Sequence, residues 1–329
     1  MSESKKYLTS IDIVRVVAAL GICLYHYSHA LSPVGSWANT AFAYGYLGVQ
    51  MFFVVTGLLV PLSFFKKNYA LTDFGAMFRK RFWRLEPAFW VSVGLFVLMD
   101  ILAMFTGHAA EVQPFSLIGF LLNFLHLNAI FGLPWLRDLY WYLAIDWQFY
   151  LLCCLFIPFI AFQNRLARFA TLGVLTAAAW FLPASLAWLP MYLMPFIAGI
   201  VLFFHFADLQ KLPETLLLLV LVLFATYRHS GITHGVAVGL TVGIILFLHH
   251  SSAVITFLSN ISYSFYLTHL FSGWTFASLV RLFLPTADGW LILVSTGISI
   301  GFAWLFYQKI ELPLAEWAAK PVGSKKVGS

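Results

Sequence analysis

The stretch IDIVRVVAALGICLYHYSHAL, residues 11–31, decides the fold class of this chain. It is long enough to cross a bilayer, which takes about 20 mostly apolar residues, yet it contains Asp12, Arg15 and His26. At about 100° per residue, the path from Arg15 to His26 makes three helical turns plus about 20°, so both side chains lie on one helix face. A charged group inside a membrane costs at least about 2.5 kcal/mol and usually faces a protein interior or a wet cavity. We therefore predict that this face is the floor of a functional site.

The composition indicates an integral membrane protein. Hydrophobic residues make up 61% of the 329-residue chain and charged residues only 10%, whereas roughly 25% of the residues of an ordinary soluble domain are charged. Cys23, Cys153 and Cys154 all lie in apolar runs. They have neither a disulfide framework nor the spacing of metal ligands, so no metal site is expected.

Eleven apolar segments are candidates for crossing the membrane. If all eleven crossed, the basic loops would not all lie on the cytoplasmic side. Cytoplasmic loops carry the excess of Lys and Arg, which places the amino terminus and the basic stretch 66–84 inside. If the segment 115–131 does not cross, the later basic groups fall inside as well. We therefore predict an all-α bundle of about ten transmembrane helices plus one short non-crossing apolar segment, with both termini in the cytoplasm. The eleven segments lie near residues 9–31, 42–65, 85–106, 115–131, 139–162, 168–183, 190–206, 213–227, 233–249, 254–273 and 288–310.

No internal repeat or low-complexity linker divides the chain. We therefore predict a single transmembrane domain over residues 1–329, with residues 1–8 and 319–329 as cytoplasmic tails. The lack of eukaryotic sorting signals favours a bacterial inner membrane.

The polar residues within the apolar segments fall into two groups by depth. At a rise of about 1.5 Å per residue, three titratable groups on three helices are expected to share one depth in the outer half of the membrane: His26, Asp146 and His269. Three arginines belong instead to the cytoplasmic end: Arg15, Arg81 and Arg84. Arginine suits an anionic, phosphate-bearing ligand there because its planar fork stays charged and pairs with phosphate.

Each of these groups also has a structural interpretation. His26 is compatible with a plain interhelical hydrogen bond, Asp146 with a structural ion pair, and His269 with a buried packing histidine. The basic loop before the third apolar segment is expected in any multispan protein. Arg81 and Arg84 favour function, because they share one helix face at the mouth of an apolar segment.

Six motifs in order resemble the acyltransferase type 3 family, the multispan O-antigen acetylase-like acyltransferases. The resemblance covers almost the whole chain and includes the element in which ten residues separate Arg15 from His26. Asp146 stands where the family usually has Glu, Gln50 where it usually has Asp, and Glu86 where an apolar residue is expected. The motifs are YLTSIDIVRVVAA at 7–19, GVQMFFVVTG at 48–57, RFWRLEP at 81–87, WYLAIDWQFY at 141–150, ISYSFYLTH at 261–269 and ELP at 311–313.

The resemblance implies a membrane O-acyltransferase. Such an enzyme takes an acyl group, most often acetyl, from cytosolic acyl-coenzyme A and places it on a carbohydrate hydroxyl. The acceptor would be a lipid-linked saccharide, an exopolysaccharide or a lipopolysaccharide, presented by the membrane or by polysaccharide-assembly partners. By position, His26 would be the catalytic residue. The arginines Arg15, Arg81 and Arg84 would bind the acyl donor, and the predicted substrate contacts are His269, Gln148 and Tyr150.

The residues suggest a mechanism in which His26 accepts the proton of the attacking hydroxyl. Asp146 or Asp12 is expected to fix the imidazole ring. Tyr263 or Ser262 is a candidate hydrogen-bond donor to the developing oxyanion. Direct transfer is the simpler route, although an acyl-histidine relay is also open.

A carrier for an anionic solute is the competing class, because the same arginines and histidines suit a permeation route. It predicts inverted repeats and broken helices near the midplane, and the sequence shows neither. An accessory subunit that only positions a lipid-linked sugar is a third possibility, and it predicts no binding of acyl-coenzyme A.

Overall fold

The computed structural model describes residues 3–105, 116–160, 162–183, 185, 187–284 and 289–319. Within these ranges every regular element is helical, which confirms the all-α prediction. Of the two predicted tails, residues 3–8 are the first turns of the first helix and residue 319 ends the last one, while residues 1–2 and 320–329 lie outside the described part.

Fourteen α-helices occur in the described chain, joined by short 3₁₀ turns. A π-helical turn at Tyr307–Glu311 connects the last two. The helices are α1 Glu3–Leu31, α2 Trp37–Ala41, α3 Gly48–Lys66, α4 Phe74–Phe105, α5 Leu117–Phe124, α6 Trp141–Phe156, α7 Arg165–Phe181, α8 Leu193–Phe206, α9 Leu212–Ser230, α10 Ile232–Phe247, α11 Ala253–Asn260, α12 Ser262–Phe283, α13 Gly289–Phe306 and α14 Leu312–Ala319.

Seven helical stretches of the described chain are long and apolar enough to cross a membrane. The predicted count of about ten therefore stays a prediction. The difference comes from α7 and α10, which have 17 and 16 residues, and from α12, which carries many polar groups. The seven stretches are Thr9–Leu31, Trp37–Lys66, Leu71–Phe105, Asp138–Phe159, Leu189–Phe206, Leu212–Ser230 and Gly289–Ala318.

The segment 116–140 turns back along α4 before α6 begins, and it contains no helix long enough to cross a bilayer. Helix α5 has eight residues, about 12 Å at the usual rise and too short for a bilayer. His126 just after α5 contacts Glu86 of α4, whereas Arg137 contacts Asp100, which lies about 21 Å farther along the same helix. The chain therefore reaches the level of Glu86, returns to the level of Asp100 and descends again as α6.

Small residues allow the central helices to approach closely. A Cβ on Gly57 of α3 would lie 2.3 Å from the carbonyl oxygen of Phe196, and one on Gly199 of α8 would lie 2.2 Å from that of Val54. Close packing of this kind is how membrane helices associate, since burial from water does not drive it. These two glycines hold α3 against α8 in the middle of the bundle.

Helices α1, α12 and α13 meet at a third close approach. The Tyr27 hydroxyl donates to the backbone carbonyl of His269, and its oxygen lies 2.6 Å from the Ser299 hydroxyl. A Cβ on Gly273 would lie 1.8 Å from the Tyr27 oxygen, so the contact requires glycine at that position. This contact fixes α12 beside the polar face of α1.

Candidate functional site

Two imidazoles from α1 and α12 form the centre of the site. Nδ1 of His26 lies 2.9 Å from Nε2 of His269, and the rings are nearly parallel, with an interplanar angle of 11°. His269 is almost fully buried, with 1% of its surface exposed. Its other nitrogen, Nδ1, lies 2.9 Å from the carbonyl oxygen of Tyr266 and 3.1 Å from that of Phe265.

The hydrogen-bond partners assign the protons of this pair. Carbonyl oxygens only accept, so Nδ1 of His269 carries a hydrogen. In a neutral ring Nε2 is then an acceptor, and it must receive its hydrogen bond from Nδ1–H of His26. Nε2 of His26 is therefore left with a free lone pair, which is what a general base requires.

The prediction that a carboxylate fixes the His26 ring is wrong, because His269 takes that place. Asp146 forms an ion pair with Arg81 instead. Asp12 accepts a hydrogen bond of 2.6 Å from Ser259 and lies about 21 Å along α1 from His26. His269, predicted as a substrate contact, is the group that orients the imidazole.

Asp146 also lies at a different depth from the predicted one. Its ion-pair partner Arg81 stands near the start of α4, so the carboxylate belongs to the arginine end of the site. The predicted depth of Asp146 assumed that its helix starts at the bilayer surface. Helix α6 starts deeper, beside the middle of α4, so Asp146 lies closer to the arginine cluster. The Arg81 guanidinium also lies 4.4 Å from the centre of the Tyr150 ring and 5.6 Å from that of Trp147.

The arginine cluster, Arg15, Arg81 and Arg84, is joined by a carboxylate that sequence analysis left without a role. Glu311 accepts a hydrogen bond of 2.5 Å from Ser264 and interacts electrostatically with Arg15 and Arg84. The π-helical turn before α14 places it there. Its position in the ELP motif was the available signal.

Two tyrosines connect the arginine cluster with the imidazole pair. Tyr142 interacts electrostatically with Arg15, Arg81 and Asp146, and its ring centre lies 5.3 Å from that of Tyr266. The backbone carbonyl of Tyr266 in turn accepts the hydrogen bond from His269. Polar groups therefore continue from the arginine cluster to the imidazole pair.

The two predicted oxyanion donors lie nearly two helical turns from His269 along α12. Tyr263 and Ser262 precede His269 by six and seven residues on α12, which is about 9 to 10 Å. The Tyr263 hydroxyl already donates to the backbone carbonyl of Leu85 at 3.0 Å. An oxyanion role for Tyr263 would require breaking this hydrogen bond, and the assignment of Tyr263 and Ser262 stays a prediction.

The predicted substrate contacts on α6 are engaged with the protein. The Gln148 amide donates to the carbonyl of Ala187 and accepts from the backbone N–H of Leu189, both at 2.8 Å. The Tyr150 hydroxyl donates to the carbonyl of Met77 at 2.9 Å, and its ring supports Arg81. Tyr150 thus belongs with the arginine cluster, and a substrate contact by Gln148 would require breaking one of these bonds.

Sequence analysis missed a buried pair formed by a carboxylate and an imidazole, Glu86 and His126. Glu86 is 3% exposed, and its Oε1 lies 2.6 Å from the Trp147 indole nitrogen and 3.1 Å from Nε2 of His126. The unusual charge before Pro87 was the available signal.

Among the described residues, no group of three or more His, Cys, Asp or Glu side chains could hold a metal ion.

Comparison with known proteins gives one family and several relatives. The sequence model of the family described as acyltransferase domain matches residues 8–308. The peptidoglycan O-acetyltransferase OatA of Listeria monocytogenes is 33% identical over 159 residues, 45% of this chain and 24% of that protein. The O-acetyltransferase OatA of Staphylococcus aureus is 28% identical over 171 residues, 48% of this chain and 26% of that protein. The similarity thus spans about a quarter of the relatives' length, and no solved structure gives a significant match.

Proposed function

The chain belongs to the acyltransferase family whose sequence model matches residues 8–308, and on that basis we propose that it transfers an acetyl group from cytosolic acyl-coenzyme A to a carbohydrate hydroxyl. His26 is the general base of this reaction. The observation that carries the proposal is the 2.9 Å hydrogen bond from His26 to His269, because it leaves the outer nitrogen of His26 unprotonated. Family membership favours transfer over the carrier considered from the sequence.

The chemistry follows from that free nitrogen. As the acceptor oxygen attacks the thioester carbonyl, its proton passes to Nε2 of His26. The carbon–sulfur bond then breaks, and the imidazolium returns the proton to the leaving thiolate, which gives an ester and free coenzyme A. During the attack His269 accepts the hydrogen bond from the charged ring and holds its orientation. This direct transfer accounts for every bond and proton without a covalent acyl-histidine intermediate.

The donor is held at the arginine cluster. Arg15, Arg81 and Arg84 face carboxylates there, and the phosphates of the donor replace part of these contacts with bidentate ones. Arg15 and His26 are about 16 Å apart along α1, a span that the slender pantetheine arm of coenzyme A bridges beside Tyr142 and Tyr266. The thioester then reaches the imidazole pair.

A carbohydrate acceptor is supported by the names of the relatives. One is called a peptidoglycan O-acetyltransferase, and a sugar hydroxyl needs a base of the kind that His26 offers. The apolar helices support a multi-pass membrane protein. The proposal places it in a bacterial inner membrane with both termini in the cytoplasm, on the strength of the Lys and Arg distribution in its sequence.

The test compares two histidines of α1 in purified protein with labelled acetyl-coenzyme A. His26→Ala should lower kcat by about 10² to 10⁴, the usual contribution of general-base catalysis. His29→Ala is the matched control, since His29 is exposed and its Nδ1 lies within hydrogen-bond distance of Tyr25 and Ser28 of the same helix. Retained transfer in folded His26→Ala protein would remove His26 from the mechanism.

The donor needs a separate test. Wild-type protein should bind acetyl-coenzyme A, and Arg81→Ala combined with Arg84→Ala should abolish the binding. If transfer proceeds but only from another acetyl donor, the proposed acyl-coenzyme A dependence is wrong while the role of His26 stands.

A further inference from the structure

The interface between α4 and the segment 116–140 contains polar groups that the protein itself does not satisfy. We call this interface the polar seam. It extends from Glu86 to Asp100 on α4, about 21 Å. In the described part of the chain, six buried side-chain atoms of α4 and of this segment have no hydrogen-bond partner: Nε1 of Trp90, Oδ2 of Asp100, Nδ2 and Oδ1 of Asn123, Nδ1 of His126 and Oδ1 of Asn128.

Asn123 is the clearest case. It is completely buried, and neither its amide nitrogen nor its amide oxygen has a partner among the described residues. Buried polar groups are almost always hydrogen-bonded, and each unpaired one destabilises the fold. Structural packing alone would be better served by leucine at this position. The amide therefore points to a ligand.

His126 shows the same pattern with a fixed orientation. Its Nε2 lies 3.1 Å from Glu86, and its Nδ1 has no hydrogen-bond partner within the described ranges. Its backbone is left-handed, with φ of 57°, a conformation that is uncommon outside glycine and that is often found at functional sites. The carboxylate thus sets the direction of an unsatisfied imidazole nitrogen.

The far end of the seam combines charge with an aromatic surface. Arg137 lies 2.5 Å from Asp100, and its guanidinium stands 4.9 Å from the centre of the Phe96 ring. The second oxygen of Asp100 has no partner among the described residues. Carboxylate, amide, imidazole, indole and guanidinium groups together offer a mixture of donors and acceptors, which matches a ligand with many hydroxyl groups.

The seam runs beside the imidazole pair. The Phe96 ring centre lies 6.1 Å from that of Phe271, two residues after His269 on α12. Thr275 of α12 lies 3.6 Å from the Met99 sulfur, so Asp100 stands about 9 Å beyond the level of His269. That end of α4 points away from the arginine cluster, so a ligand there approaches His26 opposite to the donor.

We infer that the polar seam is the binding site for the carbohydrate acceptor, an inference that rests on the proposed function. The six atoms are buried in the present arrangement, so the acceptor reaches them when the segment 116–140 moves away from α4. Hydroxyl groups of the sugar then replace the missing partners. The unpaired groups destabilise the packing of the segment 116–140 against α4, and this allows a hydroxylated ligand to separate the two.

Asn123→Leu tests the inference, because the substitution preserves size and removes only the unpaired amide. The probe is the peptidoglycan disaccharide of N-acetylglucosamine and N-acetylmuramic acid, with labelled acetyl-coenzyme A as donor and the protein in lipid nanodiscs. We expect KM for the disaccharide to rise about 3- to 10-fold, the loss of one or two hydrogen bonds. The donor KM and the melting temperature should not fall.

Ser295→Ala is the matched control. Its hydroxyl is also buried and without a partner among the described residues, but it lies on α13, outside the seam. The control should leave the disaccharide KM unchanged. An unchanged disaccharide KM in Asn123→Leu as well would overturn the inference.

Binding to catalytically inactive protein separates the inference from the proposed function. His26→Ala protein should bind the disaccharide, measured by calorimetry, and adding Asn123→Leu should weaken that binding by the same 3- to 10-fold. If the disaccharide binds in this way but wild-type protein transfers no acetyl group, the proposed function fails and the seam stands. If the His26→Ala protein does not bind the disaccharide, the seam is not its site.

Discussion

The arginine cluster and the imidazole pair are built on opposite principles. At the arginine cluster, charged groups meet charged groups, as Arg81 meets Asp146 and Glu311 meets Arg15. At the imidazole pair, no charged side chain of the described residues forms a hydrogen bond with either ring. The partners of His269 there are backbone carbonyls and His26. The contrast fits the proposed function, in which one end of the site would bind the charged donor while the other keeps a neutral base.

The neutrality of the imidazole pair has a physical purpose. A carboxylate beside His26 would favour the imidazolium form, which cannot accept a proton. A second imidazole orients the ring through one hydrogen bond without adding a charge. Hydrogen bonds to backbone carbonyls fix the tautomer of that second ring, so the orientation depends on α12 as a whole.

After His26→Ala itself, the largest expected effect comes from breaking the imidazole pair at its buried member. His269→Ala leaves Nδ1 of His26 without its acceptor and frees the ring to rotate, so kcat should fall by about 100-fold, the lower range for loss of acid–base catalysis. His269→Gln should retain more activity, because the amide oxygen accepts a hydrogen bond from Nδ1–H. Steady-state kinetics with unchanged donor KM would support the pairing, and equal activity of both variants would contradict it.

The dependence of kcat on pH tests whether His26 acts as a neutral base. Because only the neutral ring of His26 accepts a proton, kcat should fall as the pH is lowered and reach a plateau on the alkaline side. The His269→Gln variant should show the same direction at a lower plateau. A kcat that rises toward acid pH would mean that the reaction uses a charged imidazole. The imidazole pair would then not differ from the arginine cluster in being neutral.

The next effect lies at the arginine cluster and should appear in binding and stability. Arg81→Ala leaves Asp146 buried without its partner, a loss that destabilises a fold by about 3–5 kcal/mol in buried pairs. Adding Asp146→Ala should restore much of the melting temperature, because the unpaired charge is gone, but it should not restore affinity for acetyl-coenzyme A. Recovery of donor affinity in the double variant would show that Arg81 serves the fold alone.

A smaller effect tests how α12 is held against α1. Gly273→Ala places a Cβ against the Tyr27 hydroxyl and should destabilise the protein by about 1–3 kcal/mol, as overpacked cores do. The kcat should fall with it, because His269 moves relative to His26. Adding Tyr27→Phe removes the oxygen but leaves the ring carbon Cζ 2.4 Å from that Cβ, so it should recover only a small part of the melting temperature. A double variant as stable as the wild type would argue against this contact.

The sequence predicted the helical class and the polar face of α1 because these depend on composition and on the periodicity of one segment, whereas the non-crossing segment was inferred from the distribution of Lys and Arg along the whole chain. Arg15 and His26 share one helix, so their alignment follows from the helical repeat. Predictions of this kind need only one element at a time.

The partners of the site residues were not predictable in the same way. The placement of Asp146 beside Arg81 depends on where α6 starts, which the segment before it decides. The pairing of His26 with His269 depends on Tyr27 and Gly273 bringing two helices together, a contact between residues 242 positions apart in the case of Tyr27 and His269. Glu86 gave a signal as an unexpected charge, but nothing in the sequence connected it with His126.

The smallest expected effect comes from an ion pair outside both regions. Arg165 and Glu214 lie 3.0 Å apart, and the Arg165 side chain is 69% exposed, so solvent screens the pair and its contribution to stability is at most about 1 kcal/mol. Arg165→Ala should change neither the melting temperature measurably nor either KM. Because the substitution removes an arginine as Arg81→Ala does, it separates the loss of positive charge from the loss of a site contact. A drop in donor affinity in Arg165→Ala would mean that general positive charge, and not the arginine cluster, attracts the donor.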